Sequence, residues 1–174
     1  MKIEKSHPKE TKRTQIRAFQ LNDLAKIKPL MKDPEIMKYT RFEVPQSDET
    51  IEKALNGWVE QPGPELGVWC IEEKSSGDFI GWFMLRKRDL DVPELGYMIS
   101  PSKAGQGFAT EVAQCLVEYG LTTLCYPRVV AVTDAANHAS IRILEKCGMT
   151  SVPNYNDPHQ KKPMLFFEKK QNLN

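Results

Sequence analysis

The 174-residue sequence has few of the side chains that bind metal ions. Its three histidines lie far apart, and its four cysteines lack the paired spacing of a zinc site. The cysteines stand singly in apolar or helical stretches, at Cys70, Cys115, Cys125 and Cys147. We therefore expect no metal, and we expect the reduced thiols of a cytosolic protein.

Long apolar runs and an excess of one charge are also missing. No segment reaches the roughly 20 apolar residues that cross a bilayer, and residues 1–14 are polar and lysine-rich, unlike a signal peptide. The 24 basic and 23 acidic residues leave a net charge of +1. No overall field then attracts nucleic acid or an anionic membrane. We expect a cytoplasmic protein that binds neither, as a monomer or a homodimer.

Apolar periodicity predicts one domain over residues 14–170, with a flexible arm over 1–13 and a tail over 171–174. The patterns give the order β-α-α-β-β-β-α-β-α-β-β. This order predicts an α/β (α+β) fold with three α/β/α layers. Its mixed, mostly antiparallel sheet has about seven strands.

The most informative stretch joins a strand, a glycine turn and a long helix. The strand covers 94–100, the turn contains Gly105 and Gly107, and apolar residues at helical spacing follow from Ala109. The first N–H groups of a helix have no internal partner and lie at the positive end of its dipole. Glycine lets an anion approach them closely. We predict that a pyrophosphate binds the amides of Gln106 to Thr110.

A dinucleotide-binding loop stays open as another interpretation of this stretch. The pattern fits it poorly, because the third glycine is missing and the loop comes late in the chain.

The element order and three local motifs resemble the GNAT superfamily of acyl-CoA N-acyltransferases, particularly its RimJ/RimL-like branch. The motifs are ELGYMISP followed by GQGFATEVA, the run from Asn137 to Met149, and the opening Ile16-Arg17-Ala18-Phe19 with Asp23. The superfamily loop usually begins with Gln or Arg, where this chain has Ala104. Many members carry a catalytic Tyr where this chain has Leu144.

The resemblance implies acetyl transfer from acetyl-CoA to a primary amine, either a protein N-terminus or a small molecule, by direct attack. The alternative that stays open is a non-catalytic module that binds acyl-CoA as a sensor. Glu94 is the candidate general base, Tyr97 a hydrogen-bonding group in the same cleft, and Ser140 the neighbour of the departing sulfur. Strand amides near Met98 or Ile99 suit the developing oxyanion. The residues expected to bind the cofactor are Met98, Ile99, Ser100, Lys103, Ala104, Gly105, Gln106, Gly107, Phe108, Ala109, Thr110, Asn137, Ser140, Arg142 and Lys146. Acceptor recognition is expected from 38–46 and 155–163, with Trp82 as a wall.

Overall fold

A seven-stranded sheet lies at the centre of the computed structural model, which describes residues 7–88, 90–156 and 161–172. Its strand order is β1-β2-β3-β4-β5-β7-β6, and every neighbouring pair is antiparallel except β4 with β5. The strands are β1 (Thr14–Ala18), β2 (Gly67–Glu73), β3 (Phe79–Lys87), β4 (Pro93–Ile99), β5 (Arg128–Asp134), β6 (Thr150–Val152) and β7 (Met164–Lys170). The predicted mostly antiparallel sheet is confirmed.

Helices cover both faces of the sheet, as the element order predicts. They are α1 (Leu24–Lys32), α2 (Pro34–Met37), α3 (Asp48–Glu60), α4 (Phe108–Glu118) and α5 (His138–Lys146). Side chains alternate along each strand, so β4 places Leu95 in the core under α4 and Met98 in the core under α1 and α3. Among the described helices, none is both long enough and apolar enough to cross a membrane.

Capping explains where two of these helices begin and end. The side chain of Ser47 accepts a hydrogen bond from Thr50 N–H at the start of α3, and Asn137 accepts one from Ser140 N–H at the start of α5. After α5, Gly148 takes a left-handed conformation with φ of 73°, and Met149 N–H bonds to Leu144 O. The sequence predicts these caps, since Ser and Asn are favoured N-cap residues and Gly favours the left-handed position after a helix. Helix α4 continues as a π-helical turn over Tyr119–Thr123, so the helical stretch that the apolar spacing predicts from Ala109 ends close to Cys125.

The arm predicted to be loose over 1–13 is packed against the domain from residue 7 onward. His7 is buried and stacks on Trp69, with ring centroids 5.0 Å apart. Lys9 O accepts a hydrogen bond from Ile16 N–H, and Arg13 O accepts one from Lys74 N–H. Aromatic stacking and edge pairing, which the polar composition did not indicate, hold this segment. Residues 1–6 lie outside the described part of the chain.

Strands β4 and β5 meet at one position and then separate. Their parallel register has the single pair Glu94 with Val130, although each strand runs for seven residues. Beyond that pair, the β5-facing edge of β4 from Leu95 to Ile99 has no strand ladder. The separation lies beside the turn that leads into α4.

Candidate active site

The turn before α4 presents unpaired amides to solvent. Residues 104–107 are exposed, and Gly105 and Gly107 are left-handed, with φ of 74° and 82°. Gly107 is the N-cap of α4, and no side chain caps the helix there. Because the first helical bond runs from Glu111 N–H to Gly107 O, the amides of residues 108–110 have no helical partner. The geometry is that of an anion site.

An arginine from the N-terminal segment, which the sequence analysis missed, lies against this turn. Arg13 donates from Nη1 to Gln106 O at 3.0 Å and from Nε to Glu111 at 2.7 Å. Its guanidinium carbon lies 4.4 Å from the centre of the Phe108 ring. No local pattern signals this contact, because Arg13 and Glu111 are 98 residues apart in the chain.

The lysine of the turn faces away from the amides. Lys103 Nζ lies 2.7 Å from both Glu73 and Asp78 of the β2–β3 hairpin, and these carboxylates raise the pKa of its ammonium group. The expectation that Lys103 binds phosphate therefore has no support in this arrangement. Ser100 turns its hydroxyl toward Ser102 at 3.0 Å. The side chain of Gln106 folds back onto Ser102 O.

Tyr97 and Ser140 come together across β4 and α5. The two hydroxyl oxygens are 3.0 Å apart, and the Tyr97 hydroxyl also lies 3.3 Å from Ser140 O. Burial raises the pKa of Tyr97 well above its usual value of about 10, so the phenol stays protonated at neutral pH. Asn137 fixes the backbone of Ser140 through its cap at 3.1 Å. The cap uses the Asn137 oxygen and leaves the side-chain NH₂ for another partner.

The amides of Met98 and Ile99, the two expected oxyanion donors, point to opposite edges of β4. Ser100 N–H bonds to Ile80 O, in register with the β3–β4 ladder. Alternation then directs the amide of Met98 toward β3, and the amides of Tyr97 and Ile99 toward the gap beside β5. Ile99 is thus suitably placed for the expected role. Met98 is not, because its main-chain groups face β3.

Glu94 lies on the opposite face of β4 from Tyr97, because side chains alternate between the two faces of a strand and these residues are three positions apart. Its carboxylate is 11% exposed and lies 3.3 Å from Arg88 and 3.7 Å from Arg41. The structure therefore brings Tyr97 and Ser140 together but not Glu94 with them. Neither arginine was singled out in the sequence.

The two basic residues expected on α5 are exposed. Arg142 and Lys146 project from the helix surface, and the main-chain oxygen of Lys146 accepts a hydrogen bond from Gln114 of α4. That bond ties α5 to α4. A phosphate contact for either side chain stays a prediction.

The two segments expected to recognise the acceptor meet at Lys162. Its ammonium group lies 2.7 Å from Lys38 O, 3.3 Å from Thr40 O and 3.0 Å from Asp134 at the end of β5. Residues 157–160 of the second segment lie outside the described residues. Trp82 packs against Trp58, with ring centroids 5.4 Å apart, so it is part of the packing between α3 and the sheet.

One group of potential metal ligands occurs in the described residues, at Asp23, Cys70 and Glu72. Arg17 contacts both carboxylates, at 2.8 Å and 2.6 Å, and Lys26 contacts both as well. These cations already neutralise the acidic groups. The arrangement is an ion-pair network that joins β1, α1 and β2.

Comparison with known proteins agrees with this geometry. The family model for the acetyltransferase (GNAT) domain matches residues 13–150. The chain belongs to this family and is an acetyl-CoA-dependent acyltransferase. The resemblance in the sequence motifs is thereby confirmed.

Two relatives illustrate the range of the family. The uncharacterized protein YkkB of Bacillus subtilis is 29% identical over 171 residues, which covers 92% of this chain and 94% of YkkB. The FsC-acetyl coenzyme A-N(2)-transacetylase of Aspergillus fumigatus is 30% identical over 144 residues, which covers 75% of this chain and 60% of that protein.

Solved structures share the fold. An acetyltransferase of the GNAT family from Bacillus anthracis superposes with a TM-score of 0.80 at 22% identity, covering 92% of this chain and 96% of that one. RimL, a ribosomal L7/L12 alpha-N-protein acetyltransferase solved in complex with coenzyme A, gives 0.76 at 14% identity, covering 95% and 98%. At these identities the likeness shows the fold, and membership of the RimJ/RimL-like branch stays a prediction.

Proposed function

We propose that the protein transfers an acetyl group from acetyl-CoA to a primary amine, which attacks the thioester directly. The observation that carries the proposal is the row of amides at the start of α4 that have no helical partner, after the turn that follows the diverging strand β4. Two left-handed glycines keep side chains away from those amides. These features fit a diphosphate, and family membership supports acetyl-CoA as the donor.

The free edge of β4 holds the rest of the donor in this proposal. Main-chain groups of Tyr97 and Ile99 face the gap toward β5, so they offer hydrogen bonds to an extended pantetheine arm, as a neighbouring strand would. The N–H of Ile99 is the proposed donor to the oxyanion that develops on the carbonyl. A main-chain donor in a rigid strand needs no reorganisation for this role.

Ser140 stabilises the departing thiolate. The side chain of Asn137 accepts a hydrogen bond from the backbone N–H of Ser140, and the Tyr97 hydroxyl contacts the Ser140 hydroxyl. Together they hold the Ser140 hydroxyl in place. Because the thiol of coenzyme A is far more acidic than serine, Ser140 acts by donating a hydrogen bond rather than by giving up its proton. Tyr97 stays protonated and can donate to Ser140 while Ser140 donates to the sulfur.

The amine must be neutral to attack. An α-amine with a pKa near 8 is neutral in about one molecule in ten at pH 7, whereas a lysine amine is neutral in fewer than about one in a thousand. An N-terminal or similarly acidic amine is therefore the easier acceptor. Glu94 is the proposed base, directly or through a water, and it takes the proton from the amine. Replacing it with Gln should lower turnover most at pH values below the pKa of the amine.

The acceptor class is proposed as a protein N-terminus or a small primary amine. The segment 38–46 carries exposed apolar side chains at Phe42 and Val44, and Lys162 anchors it to β5. This segment lies next to Glu94 through Arg41. An acceptor that reaches Glu94 therefore passes the 38–46 segment.

The test is thiol release from acetyl-CoA by the purified protein with a panel of N-terminal peptides, polyamines and amino acids. We expect turnover with at least one N-terminal or small amine, and slower turnover with lysine side chains. Binding of acetyl-CoA without turnover on any amine would favour the acyl-CoA sensor. Binding of NAD without coenzyme A would support the dinucleotide site instead.

A further inference from the structure

The turn that leads into α4 lacks a side-chain cation of its own. Ala104 occupies the position where related loops carry Gln or Arg, and Lys103 is paired with Glu73 and Asp78. A diphosphate bound at residues 106–110 would therefore find amides but no cation supplied by the loop. Something else must balance its charge.

Arg13 lies where such a cation is needed. A Cβ atom added to Gly107 would be 3.3 Å from Arg13 Nη2, so this nitrogen sits directly over the N-cap of α4. Nη1 is bound to Gln106 O and the guanidinium packs on Phe108. The side chain is 41% exposed, which leaves it open to a ligand from solvent.

Donor groups remain on Arg13 after its protein contacts are counted. A guanidinium has five N–H groups. Nε uses one on Glu111 and Nη1 uses one on Gln106 O, while Nη2 has no hydrogen-bond partner among residues 7–88, 90–156 and 161–172. An arginine can hold a carboxylate with one edge and a phosphate with the other.

We propose that Arg13 binds the diphosphate of coenzyme A and replaces the side chain that position 104 lacks. The inference rests on the proposed function, and it adds the N-terminal segment to the cofactor site. Glu111 is the positioning residue, because it accepts hydrogen bonds from Arg13 Nε, Arg13 N–H and the Thr11 hydroxyl, at 2.7, 2.8 and 2.5 Å. The bond from Nε fixes the direction of the guanidinium, and the other two hold the backbone of Arg13 and the side chain of Thr11 against Glu111.

The experiment is isothermal titration of coenzyme A into the wild type and into Arg13→Ala. Loss of a charge-assisted hydrogen bond should weaken binding roughly 10- to 100-fold. The double variant Arg13→Ala with Ala104→Arg should recover much of the affinity, because it returns a cation to the loop. Lys53→Ala removes the same charge from exposed α3 on the other face of the sheet, and it should leave affinity unchanged.

A second ligand separates phosphate binding from a general effect on the site. Pantetheine lacks the diphosphate. Its affinity, measured by competition, should therefore be equal in the wild type and in Arg13→Ala. Arg13→Gln keeps a donor for Glu111 and tests the same point if the alanine variant unfolds. Equal affinity for coenzyme A in wild type and variants, or equal losses for coenzyme A and pantetheine, would overturn the role of Arg13. A wild type that binds no coenzyme A would instead overturn the proposed function.

Discussion

Gly107 is the residue on which the amide site depends most. Its φ of 82° is costly for any residue with a Cβ, and that atom would also crowd Arg13. Gly105 shares the left-handed conformation, but a Cβ there would meet nothing within 4 Å. The two glycines therefore differ in how closely other groups approach them.

Gly107→Val should weaken binding of coenzyme A by at least about tenfold while the protein stays folded. The valine distorts the turn that aims the amides and places a branched side chain among them. The measurement is a titration calorimetry comparison with Gly77→Val. Gly77 has a similar φ of 75° and open space around it, so it reports the cost of backbone strain alone. Equal affinities for the two variants would refute the amide site.

Ser140 and Tyr97 provide a second test at this scale. Ser140→Ala should lower kcat by about 10- to 100-fold, and Tyr97→Phe by less, with little change in affinity for coenzyme A. Tyr97→Phe keeps the ring stacked on Phe83, with centroids 5.0 Å apart, so it removes the hydroxyl alone. Ser151→Ala on exposed β6 is the control. Wild-type kcat in Ser140→Ala would exclude Ser140 from thiolate stabilisation.

The site residues that sequence reasoning could find are those with a local signature. Gly105, Gly107 and Asn137 belong to turns and caps that a few neighbouring residues define. Arg13, Arg41 and Arg88 reach their partners through the fold, and their sequence neighbourhoods look like any charged surface. The preference for Ile99 over Met98 likewise depends on strand register, which a single strand does not reveal.

Among the elements, β1, α1 and β2 are joined by the ion pairs around Asp23. Burial opposes ionisation of Asp23, but hydrogen bonds from Arg17, the backbone of Gln20 and Lys26 outweigh it and lower its pKa to about 2. The carboxylate therefore stabilises the fold above the pKa of the unfolded chain, near 4. That contribution disappears as the pH falls from about 4 to about 2.

Asp23→Asn should lower the free energy of unfolding by about 2 kcal/mol at pH 7. The difference between wild type and variant should shrink as the pH falls from 4 to 2, since the wild type loses its carboxylate there. Urea denaturation at several pH values measures both effects. Asp91→Asn, at a 95% exposed side chain, should change stability by less than about 0.5 kcal/mol. A pH-independent difference would contradict the assigned role of Asp23.

The positions of helices and strands follow the sequence closely where the apolar periodicity agrees with the residues that begin and end an element. The sequence patterns predict a strand over Gly67 to Glu73 and a helix over Ala139 to Lys146. Strand β2 has those bounds, and α5 begins one residue earlier, at His138, because Asn137 caps it. The N-terminal arm was mispredicted beyond residue 6. Its packing depends on His7 meeting Trp69 and on Arg13 meeting Glu111, and neither contact follows from local composition.

At the scale of the whole molecule, the separation of β4 from β5 brings the parts of the site together. It leaves the edge of β4 free between α4, which carries the amides, and α5, which carries Ser140. The 38–46 segment and Lys162 adjoin the end of β5. In the proposed function, this gap receives the donor along β4, and the acceptor arrives past these loops.

The central claim is that main-chain amides at the start of α4 hold a diphosphate. The most direct measurement follows backbone amide shifts by NMR while coenzyme A, and separately pantetheine, is added to the protein. The account predicts large shifts for residues 106–110 with coenzyme A, and shifts along β4 but not at 106–110 with pantetheine. Saturation with coenzyme A that leaves the amides of 106–110 unmoved would contradict it.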